Sequence, residues 1–193
     1  MITTVASTRK RRRGLALSTA VLGGALACYG AALRGDQQNA SAYQIEAVYL
    51  YNFSKFVEWP ASAKSANADP FNICILGDDP FGAVLDATLS GENIQGANLA
   101  ARRITEARDA AGCKIVFVSS SEESRLKTVL DELENGKALT VSDIREFSQR
   151  GGMIQFVVAN GKVRFEVNVK NAADAGLSFS AELLEVALAV RKA

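Results

Sequence analysis

The chain has no histidine in 193 residues. That excludes a His-ligated metal centre and a Ser-His-Asp triad, because imidazole is the ligand in the first and the general base in the second. Cysteine is scarce too, with only Cys28, Cys74 and Cys113. The glycine fingerprint of a dinucleotide fold is missing. Where it would stand, the chain reads Gly77-Asp78-Asp79-Pro80-Phe81-Gly82, and two aspartates at a helix start would repel a pyrophosphate. A basic face is missing as well. Five positive charges, Arg9, Lys10, Arg11, Arg12 and Arg13, precede any acid, and without them the net charge of +1 becomes −4. A mildly acidic folded part does not offer the surface that nucleic acid requires. No cofactor or metal is implied. An enzyme would need a carboxylate pair such as Asp78 and Asp79, and adjacent residues rarely converge on one substrate.

Aromatic residues are few but unevenly placed. Tyr43, Tyr49, Tyr51 and the only tryptophan, Trp59, all fall between Ser41 and Pro60. In that stretch Ile45, Val48, Tyr49, Asn52, Phe53 and Phe56 recur at steps of three and four, which predicts one buried stripe of an α-helix. Ser41 followed by Gln44 reads as a capping box at its start. Trp59-Pro60 closes it, since the residue before proline is pushed out of helical geometry.

Residues 1–40 read as an export leader, and 41–193 as one α/β domain. The five basic residues precede an uncharged run from Gly14 to Leu33, the order of an n-region and an h-region. Small-x-small cleavage sites occur at Ala25-Leu26-Ala27, Gly30-Ala31-Ala32 and Ala40-Ser41-Ala42. The run also approaches the roughly 20 apolar residues of a membrane span, so an uncleaved anchor is the rival reading. Either route places the domain outside the cytoplasm.

After a polar linker over 61–69, Phe71–Gly77 is nearly all apolar, the pattern of a strand buried on both faces. Asp79 as N-cap and Pro80 at the first position open a helix through Phe81, Val84, Leu85 and Leu89. A loop from Gly91 to Asn98 leads to a short strand at Ala101–Ile104. Lys114–Val118 is a second central strand. Ser119–Ser121 starts a helix carrying Leu126, Val129, Leu130 and Leu133, and Asn135-Gly136 stops it. Ala138–Ser142 is a further strand. Met153–Ala159 and Lys162–Val169 are joined by Asn160-Gly161, a strong hairpin signal. A short helix follows Asn171, and a last helix from Ser180 buries Leu183, Leu184, Ala187 and Leu188. These alternations predict a three-layer α/β sandwich with a mixed sheet of about six strands and a C-terminal antiparallel hairpin.

Cys74 lies inside the first central strand and Cys113 just before the second. An exported chain that keeps two cysteines favours a disulfide, with two buried thiols as the alternative. Closing a loop of about 40 residues would contribute roughly 4 kcal/mol on the chain-entropy account. Arg164 and Glu166 share the polar face of the last hairpin strand and read either as a solvated ion pair or as part of a groove. Gly77–Asp79 and Ser119–Ser121 could line a cleft for a small ligand, with helix capping as the simpler account.

Five segments together resemble the YfiR-like family of bacterial periplasmic proteins. They are A-V-Y-L-Y-N-F-S-K-F-V-E-W-P from Ala47, I-C-I-L-G-D-D-P-F-G from Ile73, A-G-C-K-I-V-F-V-S from Ala111, R-G-G-M-I-Q-F from Arg150 and V-R-F-E-V-N from Val163. The resemblance runs from Tyr43 to the C-terminus. It implies a periplasmic repressor that holds a membrane-bound diguanylate cyclase inactive by contacting its periplasmic sensor part, usually as a homodimer. It also implies a bridge between Cys74 and Cys113, and a groove role for Glu166; at other groove positions, where charged or aromatic residues are expected, this chain has Ser178 and Ser180. A second cysteine pair of the best-known members is absent, Val141, Gly151 and Gly152 standing in that neighbourhood. The alternative function is a periplasmic small-ligand carrier or sensor.

Overall fold

The computed structural model describes residues 24–60 and 70–192. The chain forms two units, Met1–Gln37 and Gln38–Ala193, and the second holds the sheet and its covering helices. Helix α1 (Gly24–Phe56) leads into β1 (Val57–Glu58). There follow β2 (Phe71–Leu76), α2 (Ala83–Leu89), β3 (Asn93–Ile94), β4 (Ala97–Ile104) and β5 (Cys113–Val118). Then come α3 (Leu126–Leu133), β6 (Leu139–Ser142), β7 (Ile154–Ala159) and β8 (Lys162–Asn168). The chain ends with α4 (Val169–Asp174), β9 (Ser178–Phe179), α5 (Ala181–Val186) and β10 (Ala189–Arg191).

Eight strands make one mixed sheet in the order β10-β8-β7-β6-β5-β2-β4-β3, and β1 pairs with β9 in a small antiparallel sheet. Strands β4, β2, β5, β6 and β7 are mutually parallel. The β7–β8 hairpin is antiparallel, with Phe156 opposite Phe165. Its turn has Asn160 and Gly161 at φ 53° and 70°, the left-handed pair that a two-residue hairpin requires.

Alternate residues of the central strands feed two separate cores. On one face Ile73, Ile75, Ile115, Phe117, Ile154 and Phe165 pack with Ala47, Leu50 and Phe53 of α1, Leu85 of α2 and Leu183 of α5. On the other face Cys74, Leu76, Val116 and Val118 pack under Leu126, Val129 and Leu133 of α3, joined by Ile144 and Phe147. This is the expected three-layer α/β sandwich, with eight strands in place of about six. The additional strands are β3 and β10, of two and three residues, too short to carry a readable alternation. The loop expected over 91–98 is instead a tight hairpin, turned by Gln95 and Gly96 at positive φ.

Helix α1 departs from expectation in three ways. It does not begin at Ser41: the helix is already running at Gly24, so the Ser41/Gln44 capping box is not used. An S-x-x-Q pattern caps only where the preceding chain is non-helical, and here alanine-rich chain continues the helix upstream. The helix ends at Phe56, because Val57 and Glu58 pair with Phe179 and Ser178. The buried stripe also lies on a different side. Ala47, Leu50 and Phe53 are buried, while Ile45, Val48 and Phe56 stand 44%, 48% and 38% exposed. Both sides of this helix are apolar, so spacing alone does not choose between them. The small Ala47 side chain lets the helix approach the sheet, and Phe53 locks it by stacking on Phe156 and meeting Phe165 edge-on.

The last helix also stops early, at Val186, and Ala189–Arg191 runs as a strand beside β8. Leu188, expected in the core, is 45% exposed. Cys74 and Cys113 form a disulfide with their Cα atoms 5.9 Å apart. The predicted linker over 61–69 and the N-terminal part of the predicted leader, 1–23, lie outside the described residues. Among the described residues no helix is long and apolar enough to cross a membrane.

Candidate functional site

The exposed side of α1 borders a groove of about 270 Å³ that runs between it and α5. Tyr49, Asn52, Phe53 and Phe56 form one wall, Phe165 of β8 the floor, and Glu182, Leu183 and Val186 the other wall. The sequence builds this groove from local rules. Ser180 caps α5 by accepting a hydrogen bond from the Leu183 N–H at 3.3 Å, which sets the helix start. The Ser180 N–H in turn donates to the Phe56 carbonyl at 2.9 Å, which ties α5 to the end of α1. The ring packing beneath the groove is continuous, since Tyr49 and Phe53 touch one another and each meets both Phe156 and Phe165. Phe56 and Val186, which line it, are exposed, as are Ile45 and Val48 on the same side of α1 and Leu188 just after α5. Glu182 supplies a carboxylate at the rim, held below the usual glutamate range by its own backbone N–H and the Ser180 hydroxyl. Apolar walls with one acidic rim group fit an apolar side chain or ring, and they hold no nucleophile–base pair.

Arg164 and Glu166 do not line this groove. Val163, Phe165 and Val167 point toward α1, so the residues between them project from the opposite face. Nor do the two pair with one another. The Arg164 guanidinium donates to the Val186 carbonyl at 3.1 Å. Glu166 Oε2 accepts from Arg191 of β10 at 3.0 Å, and Arg191 also reaches the Ser148 hydroxyl at 3.2 Å. Ser148 is fully buried and shares this network with Gln155, while Asn168 donates to the Ser148 carbonyl. The predicted solvated pair is therefore a clasp that fastens β10 and the 143–152 loop to the hairpin. Ser178 bonds Glu58 across the small sheet, so both serine positions have local structural partners.

The cleft predicted between Gly77–Asp79 and Ser119–Ser121 is filled by the chain itself. Ser121 Oγ accepts from the Asp78 N–H at 3.0 Å, and a Cβ built on Gly77 would lie 2.4 Å from that oxygen. Glycine at φ 89° is thus required both by conformation and by space. Ser119 caps the turn Ser120–Arg125 by accepting from the Ser121 N–H. Asp79 Oδ1 accepts from the Phe81 and Gly82 N–H groups, but α2 itself starts later, after Gly82. Asp79 Oδ2 pairs with Arg103 of β4 at 2.8 Å. The same guanidinium takes Asp86 at 2.7 Å, and that hydrogen bond holds the Asp86 carboxyl below its usual range.

Sequence reasoning missed Tyr43, Glu46 and Asp143. The Tyr43 hydroxyl donates to Asp143 Oδ2 at 3.0 Å, and Glu46 is 4% exposed on the buried side of α1. The signal was present: Glu46 stands four residues before Leu50 and seven before Phe53, in phase with the core. It is visible only once the correct side of the helix is known.

Among solved structures, the chain is similar to a conserved domain protein from Vibrio cholerae O1 biovar El Tor. The identity is 8% and the TM-score 0.49, covering 62% of this chain and 54% of that one. It is also similar to the ABC domain in complex with L-Trp from Streptococcus pneumoniae, at 12% identity and TM-score 0.45, covering 62% and 55%. The chain thus spans about half the length of each, and neither likeness is close enough to assign a function. No curated protein matches the chain. The sequence profile of the YfiR/HmsC-like family matches residues 43–188, a span that contains the groove, the disulfide and the hairpin. The chain belongs to the YfiR/HmsC-like family.

Proposed function

We propose that this protein is a periplasmic regulatory protein that represses a membrane-bound diguanylate cyclase by binding its periplasmic sensor region, which lowers cyclic di-GMP signalling. Family membership motivates the class. The observation that carries the docking surface is the apolar side of α1 left uncovered beside the α5 groove. Contiguous exposed apolar surface next to a formed pocket marks an interaction site, because its burial against a partner removes apolar area from water. An acidic Glu182 at the rim adds a charged contact that sets orientation more than strength. In this reading residues 1–40 serve as the export signal, the protein acts as a homodimer, and it binds without catalysing a reaction.

Deleting the gene is expected to raise cellular cyclic di-GMP, and the rise should vanish when the partner cyclase is also deleted. Phe56→Asp should reduce capture of the cyclase's periplasmic domain while the thermal melt stays near wild type. Unchanged cyclic di-GMP on deletion, with the cyclase confirmed as expressed, would sink the repressor reading. The groove's half-enclosed aromatic pocket also favours a second reading, a small-ligand sensor or carrier. That reading moves the ligand from the filled Gly77/Ser121 cleft to the α1/α5 groove. Binding of small apolar ligands that Val186→Arg, at an exposed groove position, abolishes without moving the thermal melt would select it.

A further inference from the structure

The groove leaves unused a second feature of α1, on its buried side. Glu46 Oε2 and Asp143 Oδ1 are both sealed from solvent and have no hydrogen-bond partner. Asp143 sits directly after β6, at the carboxyl end of the parallel strands, and its other oxygen already accepts from Tyr43. The charges that bear on the pair are acidic. Asp143 acts on Glu46, and Glu123 from the turn after β5 acts on Asp143. Arg150 is engaged with Glu123, at 3.4 Å. Two ionised carboxylates accept only and repel one another in a site of low dielectric, whereas one acid and one carboxylate satisfy each other with a single hydrogen bond.

We propose that Glu46 and Asp143 hold one proton between them, Glu46 as the acid and Asp143 as the carboxylate, and that this proton seats α1 on the carboxyl end of β6. Protonating Glu46 removes one of two buried charges that repel, and Tyr43, one turn before Glu46 on α1, holds Asp143 against the same side of the helix. Burial raises the Tyr43 phenol so that it stays protonated. Burial first, and then the Asp143 charge, push Glu46 up to about 8. Asp143 is raised by burial while the Tyr43 hydrogen bond pulls it back, which places the proton on Glu46. Because the two are coupled, the midpoint belongs to the pair.

The direction of the pH effect follows from linkage. The folded protein binds this proton more tightly than the unfolded chain does. The stabilisation is therefore complete below the ordinary glutamate value of about 4.5 and declines as pH rises, until it is gone above about 8. Alkaline conditions unseat the part of α1 that carries Tyr43 and Glu46.

Carboxyl-labelled glutamate and aspartate in the full chain, followed by carbon-13 NMR between about pH 4 and 10, test this. The expected result is a Glu46 carboxyl with a midpoint near 8 whose transition also appears at Asp143. In Asp143→Asn the Glu46 midpoint should drop, because the neighbouring charge is gone. Thermal melts should show a melting temperature that falls from acid to alkaline pH in the wild type and a flatter profile in Glu46→Gln. Both carboxyls titrating in the ordinary range below about 5 would overturn the proposal. So would an equal fall in Glu46→Gln. A melting temperature raised by calcium chloride in the wild type but not in Glu46→Gln would also overturn it, by showing a cation in place of the proton.

Discussion

The two halves of the sheet are covered differently. In β4, β2, β5 and β6 the parallel connections place α2 over one face and α3 over the other, and Ile73, Cys74, Ile75 and Leu76 are all fully buried. In β7, β8 and β10 one face lies under α1 and α5. The other face presents Arg164, Glu166 and Arg191, all partly open. The reason is topological. A parallel crossover needs a long connection that lays a helix across the sheet, whereas a hairpin closes in two residues and brings no cover. The half with less cover is also the half whose helices leave apolar surface and a groove exposed. Full cover and exposed apolar surface are thus divided along one sheet.

That contrast can be broken by substitution, from the largest expected effect downward. Phe53→Ala removes the ring that joins α1 to Phe156 and Phe165, and should cost about 3–5 kcal/mol in denaturant unfolding. A loss under about 1 kcal/mol would show that the hairpin half does not depend on α1. Cys74→Ser, which opens the bridge in the parallel half, should cost about 2–4 kcal/mol by the same measurement under oxidising conditions. An unaltered midpoint would mean that the bridge adds nothing to a half already covered on both faces.

Gly152→Ala sharpens the boundary between the halves. A Cβ there would lie 2.0 Å from the Phe147 ring, so Phe147 must leave its site in the α3-side core. About 1–3 kcal/mol is expected, as for other overpacked positions. Arg191→Ala releases the clasp on Glu166, whose side chains are 35% and 19% exposed. Partial exposure screens this pair, so about 0–1 kcal/mol is expected. Amide exchange should rise in β10 without change in β2. The smallest stability effect belongs to Val48→Asp, within about 0.5 kcal/mol for an exposed position. Its capture of the cyclase domain should nevertheless fall. Normal capture by Val48→Asp and Phe56→Asp together would move the docking surface off α1.

Local chemistry was enough to mark most elements. A continuous apolar run made β2 a central strand, Asn160-Gly161 placed the hairpin turn, and Ser180 marked the start of α5. These signals act over a few residues, through backbone conformation, capping and alternation. Burial on both faces of β2 follows from its continuous apolar run, whereas its place between β4 and β5 was decided by the packed sheet.

Other features depend on contacts between distant segments. The turned stripe of α1 required Phe156 and Phe165, about a hundred residues away, to choose between two apolar sides. Strand β10 forms because β8 offers a free edge, and the partner of Glu166 is therefore Arg191, not Arg164 two residues away. Ser121 fills the space beside Gly77 only because β2 and β5 are neighbours. The Glu46–Asp143 pair brings together residues that are each unremarkable in the sequence. Periodicity and capping are encoded in adjacent residues, so the chain alone determined most elements and their succession, but not the short strands β1, β3, β9 and β10. Which helix face is buried, which charges meet and which surface stays open were decided only when those elements packed, because burial and pairing are properties of the assembled neighbours.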